Sequence, residues 1–125
     1  MLILSTIMVF SQIASAQDPE IVDLTWNPQE PTVDDGLNVT LTLDREVDRV
    51  QVGYCIGAIC YDDHDMIIDE TGFTYSYEYE KGTFVNDTAE FHLYIDYDTT
   101  ERITEYFNVT FRSVPHAISL SHLSP

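Results

Sequence analysis

Cys55, Cys60, His64, Met66 and His92 are among the side chains of this 125-residue chain whose types suit a soft metal. A trigonal copper site needs two imidazoles, one thiolate and a weak axial thioether, which His64, His92, Cys60 and Met66 match by count. Zinc could likewise draw on Cys55, Cys60, His64 and His92. Both sites require free thiolates. Cys55 and Cys60 are the only cysteines, and their spacing leaves Ile56 to Ile59 between them as a hairpin connection. In an oxidising compartment an even count at that spacing reads as one disulfide, a local staple that stabilises by about 2 kcal/mol. A redox couple calls for C-x-x-C beside a βαβ pattern, and the sequence has neither. The disulfide is the favoured reading, and a small metal-binding or redox protein ranks behind the other functions considered below.

Hard oxygen donors are more plentiful. Asp62, Asp63 and Asp65 form one carboxylate cluster, Asp96 with Asp98 a second, and Asp34 with Asp35 a third. The first is a weak calcium candidate, because none of the three follows the twelve-residue calcium loop with its terminal Glu. Since 22 of the residues are acidic, clusters arise from composition alone, and a solvated anionic surface is the favoured reading. No metal ligand set and no cofactor are assigned. The four histidines are His64, His92, His116 and His122, and no G-x-S-x-G or H-E-x-x-H motif accompanies them. No catalytic residue is assigned either, and the expectation is a protein that is not an enzyme. With 22 Asp and Glu against 5 Lys and Arg, the formal charge of −17 excludes nucleic-acid binding by phosphate neutralisation and a polybasic membrane patch.

The elements that carry these residues alternate with period two. Leu37, Val39, Leu41 and Leu43 face one way, with Asn38, Thr40 and Thr42 opposite. Val22, Leu24 and Trp26 form an earlier strand, broken by Asn27-Pro28, and Val50, Val52, Tyr54 and Ile56 a later one. Met66 to Ile68 is a short strand before the Glu70-Thr71-Gly72 turn. Phe73, Tyr75, Tyr77 and Tyr79 then alternate with polar residues, as do Phe91, Leu93, Ile95 and Tyr97. A loop from Thr99 to Arg102 leads into Ile103, Phe107, Val109 and Phe111. Leu41 and Leu93 are the expected centres of the core, and the three tyrosines Tyr75, Tyr77 and Tyr79 are expected in it or half-buried. The predicted fold is all-β, an antiparallel β-sandwich of seven or eight strands.

Three features speak to compartment. Residues 1–16 combine a short apolar run with an Ala14-Ser15-Ala16 cleavage site and read as a signal peptide, leaving 17–112 as the domain and 113–125 as a flexible tail. The apolar run is too short to span a bilayer, so no membrane insertion is expected after cleavage. Three of the four asparagines, Asn38, Asn86 and Asn108, head N-x-T sequons, and are candidate glycosylation sites on a secreted or cell-surface protein. On adjacent strands Tyr94 and Tyr106 fall outward beside His92, which makes His92, Tyr94 and Tyr106 the candidate binding face. A glycan at Asn108 would share that face.

The pattern resembles the immunoglobulin-like or fibronectin type III-like modules of secreted and surface proteins of archaea and bacteria. The residues that carry the resemblance are Trp26-x-Pro28 with Pro31, the Val50 to Tyr54 strand running into the Cys55-x4-Cys60 hairpin, the Tyr75-x-Tyr77-x-Tyr79 strand, and the final Phe91 to Asp98 and Ile103 to Phe111 pair. It covers about Ile21 to Phe111. The antibody-type inter-sheet disulfide is absent, and Phe91 stands about where such folds often place a corner tyrosine. The resemblance implies a non-catalytic interaction or structural module whose partner is a protein or glycan at the cell surface. A carbohydrate-binding module, using tyrosines as a stacking platform, is the alternative.

Overall fold

Leu37, Val39, Leu41 and Leu43 are buried while Asn38 between them is exposed, the result expected when one face of a strand meets a core and the other meets water. The same rule builds the rest of the computed structural model, which describes residues 18–114. Its strands are β1 (Ile21–Asn27), β2 (Leu37–Leu43), β3 (Arg49–Ile56), β4 (Ile59–Cys60), β5 (His64–Asp65), β6 (Ile67–Ile68), β7 (Thr74–Tyr79), β8 (Thr88–Asp98) and β9 (Glu101–Thr110). No helix occurs among the described residues. The signal segment, His116, His122 and most of the expected tail lie outside them.

The strands form two antiparallel sheets, one in the order β1-β2-β7-β6 and the other β9-β8-β3-β4, with β5 also paired to β3. Buried residues from both sheets make one core, in which Leu41 and Leu93 are fully enclosed. Rings join the layers: Trp26 of β1 stacks on Phe107 of β9 at 4.8 Å, and Tyr79 of β7 meets Phe91 of β8 edge-on at 5.8 Å. The result is an all-β, sandwich-like fold. An isolated parallel bridge between Thr32 and Arg112 ties the loop after β1 to the chain following β9.

Three local expectations give way. Among the described residues nine strands form rather than seven or eight, because the edge beside β3 is broken: β4 pairs with Cys55 and Ile56, while β5 pairs with Gln51 and Val52. Val22 turns outward, since a register shift between Ile21 and Asp23 puts Ile21 opposite Leu43 and Leu24 opposite Leu41. The expected loop from Thr99 to Arg102 is shorter, with β9 already under way at Glu101 and Arg102 paired with Asp96.

The candidate outer face and a tyrosine cleft

The broken edge positions the chemistry. Cys55 and Cys60 are register partners and are disulfide-bonded, across a two-residue turn in which Gly57 takes a positive φ of 61°. This oxidation removes the thiolates on which the copper and zinc sets depended. Beyond Cys60 the chain hugs β3 again: the Tyr61 N–H donates to the Tyr54 carbonyl at 2.9 Å, and the Met66 N–H to the Val50 carbonyl at 2.8 Å. Asp62 and Asp63 lie in the interruption between β4 and β5, where a strand can re-aim its side chains.

Asp63 folds over the outer face of the second sheet. Its Oδ1 lies 2.7 Å from His92 Nε2. Both groups sit over Gly53, where a Cβ would collide with the Asp63 carboxylate and approach His92 Nε2 to 2.6 Å. That crossing explains why His92, expected on an open face, is only 8% exposed. Packing continues along β8: the His92 and Tyr94 rings are 4.8 Å apart, and the Arg102 guanidinium stands 4.5 Å above the Tyr94 ring. Arg102 Nε donates to Asp96 Oδ1 at 2.6 Å, and Arg49 reaches the other carboxylate oxygen at 3.2 Å. Arg102 first, and Arg49 after it, hold the Asp96 carboxyl below its ordinary range. Tyr106 pairs with His92 across the strands and remains 62% exposed. Of the candidate face, then, Tyr106 is open, Tyr94 is half-buried beneath Arg102, and His92 is covered.

The sequons and carboxylates are more dispersed. Asn38, Asn86 and Asn108 are all exposed, and Asn108 lies two residues beyond Tyr106 on β9. Asp62, Asp63 and Asp65 do not converge: Asp63 is taken by His92, Asp62 lines a cleft on the other side of the edge, and Asp65 sits in β5 opposite Gln51. Among the described residues no three His, Cys, Asp or Glu side chains gather where they could hold an ion.

The cleft was not foreseen from the sequence. It encloses about 390 Å³, and its walls include Tyr54, Tyr61, His64, Tyr77 and Tyr79. Tyr61 stacks on Tyr54 at 4.7 Å, and His64 stacks on Tyr77 at the same separation. Tyr79 is 4% exposed, and its hydroxyl has no hydrogen-bond partner among the described residues. Burial pushes that hydroxyl well above the ordinary phenol range, with Tyr77, Tyr54 and Asp63 adding to the effect. Burial, followed by Tyr61, also raises Tyr54. The available signal was the pair of tyrosines flanking the disulfide hairpin, Tyr54 and Tyr61, set against the tyrosine run of β7.

No family model and no curated protein matches the chain. Among solved structures, an engineered protein determined at 1.98 Å by the Northeast Structural Genomics Consortium is similar, with a TM-score of 0.52 and 12% identity. The match covers 71% of this chain and 20% of that one, so this chain spans about a fifth of the length of that structure. At such identity the likeness speaks to fold alone.

Proposed function

We propose that the chain is a non-catalytic, immunoglobulin-like interaction or structural module, secreted or displayed at the cell surface, whose partner is a protein or glycan. The strand order carries this reading. One sheet runs β1-β2-β7-β6 and the other β9-β8-β3-β4, with β5 also on β3, which parallels the A-B-E-D and G-F-C arrangement of immunoglobulin sandwiches with two short strands, β4 and β5, added at the β3 edge. The hairpin disulfide suits an oxidising compartment. Among the described residues no helix is long and apolar enough to cross a membrane. The exposed ring of Tyr106 favours the outer face as the contact surface, and it is also what a carbohydrate-binding module would use for stacking. Expression with cross-linking on intact cells tests the proposal. The exported chain should begin at Gln17 and capture an extracellular neighbour, and Tyr94→Ser with Tyr106→Ser should weaken that contact at least about tenfold while the fold persists. Recovery of the chain in the cytoplasm with residues 1–16 attached would contradict export, and unchanged binding by the double variant would remove the outer face. Glycan-array binding without a protein neighbour would favour the carbohydrate alternative.

A further inference from the structure

We propose that the tyrosine cleft at the broken edge is a binding site for an alkylammonium group, a function separate from any contact made by the outer face. Its walls supply aromatic surface: Tyr61 is 46% exposed and stacked on Tyr54, and His64 lies on Tyr77. Its rim supplies charge of one sign, from Asp62, Glu78 and Glu80. Among the described residues no Lys or Arg lines it, and Lys81, next in sequence to Glu80, is not part of the lining.

A cation is the ligand that both features attract. Tyrosine faces draw cations through their quadrupole, and a cation entering the cleft compensates the carboxylates it desolvates, whereas a neutral sugar or an apolar side chain leaves them unpaired. The buried Tyr79 hydroxyl narrows the class further. Tyr79 lines the cleft, and its hydroxyl is buried with no partner among the described residues; buried polar groups in folded proteins are nearly always paired. A primary ammonium carries the N–H donors that would satisfy it, and a quaternary ammonium does not. Two sources carry this chemistry, a lysine side chain of a polypeptide and a free amine.

The test is an NMR titration of the isotope-labelled mature chain with n-butylammonium, tetramethylammonium and the neutral n-pentanol. Amides of Tyr61, His64, Tyr77 and Thr83 should shift saturably with n-butylammonium, at a Kd of about millimolar order for so small a probe. The neutral alcohol should leave them in place. Glu78→Gln with Glu80→Gln, both at exposed positions, should weaken either cation at least about fivefold. Tyr79→Phe should weaken n-butylammonium about threefold or more and leave tetramethylammonium unchanged, because only the former donates to the lost oxygen. A purely structural role for the aromatic cluster moves neither ratio. Tighter binding of an Nα-acetyl-lysine amide than of a short diamine would identify a polypeptide as the source, and the reverse a free amine; either supports the site. Absence of saturable shifts, equal shifts with n-pentanol, or unchanged n-butylammonium affinity in either variant would overturn it.

Discussion

Asp63 and His64 are neighbours in the chain, yet they serve two regions of opposite character. Asp63 turns onto the outer face, where its carboxylate meets His92, Arg102 covers Tyr94, and Asp96 holds Arg102. His64 turns into the cleft, where it stacks on Tyr77 beside three rim carboxylates and Tyr79, whose hydroxyl has no partner among the described residues. Both regions combine a histidine, tyrosines and carboxylates, but arginines accompany them only on the outer face. On the outer face the polar groups satisfy one another, and what remains for a partner is the ring of Tyr106. In the cleft, charge and hydrogen-bonding capacity are left over. The arginines that satisfy Asp96 have no counterpart in the cleft lining, and the capacity left over there separates a region that packs from one that can recognise a small ligand.

The largest effects should abolish the contrast by removing the core beneath both regions. Leu41→Ala or Leu93→Ala, each fully buried, should cost about 2–5 kcal/mol in urea unfolding. A melting temperature equal to that of the parent would mean the registers described here are wrong. Gly53→Ala should break one region only. The new methyl group collides with the Asp63 and His92 pair, so about 1–3 kcal/mol should be lost. Resonances of His92 and Tyr94 should move while those of Tyr61 and Tyr77 stay; movement of both sets together would join regions that the structure separates.

Asp96→Asn should act more weakly and with pH. The carboxyl of Asp96 is held below its usual value in the folded chain, by Arg102 first and then Arg49. Its contribution is therefore present above the unfolded value and disappears as pH falls through the folded one. The variant should be about 0.5–1 kcal/mol less stable at neutral pH, with the difference closing in acid. A gap that persists in strong acid would assign the loss to something other than charge. The smallest change belongs to Tyr79→Phe. Deleting a buried hydroxyl that has no partner among the described residues should leave stability unchanged or raise it by about 1 kcal/mol. A clear loss of stability would reveal a partner for that hydroxyl and bring the cleft closer in kind to the outer face.

Much of this was legible in the sequence wherever one residue pattern decides one face. The alternation from Leu37 to Leu43 fixes β2, and the spacing of Cys55 and Cys60 fixes a hairpin that the disulfide closes. Alternation also directs Tyr106 outward. It failed where contacts come from another segment. His92 lies on the polar side of its strand and is buried only because a loop carboxylate crosses over Gly53; a glycine inside a strand was the available signal for such a close approach. The cleft failed for a related reason. Alternation assigns Tyr75, Tyr77 and Tyr79 to one face, but it does not register that the far end of that face reaches an interrupted edge, where Tyr77 stays half-buried against His64 while Tyr75 is enclosed.

The contrast between a satisfied face and an unsatisfied cleft is tested most directly by following both regions in a single titration. With n-butylammonium added to the chain, the resonances of Tyr61, His64 and Tyr77 should shift to saturation while those of His92, Tyr94 and Arg102 remain fixed. Shifts confined to His92, Tyr94 and Arg102, with a silent cleft, would contradict the account.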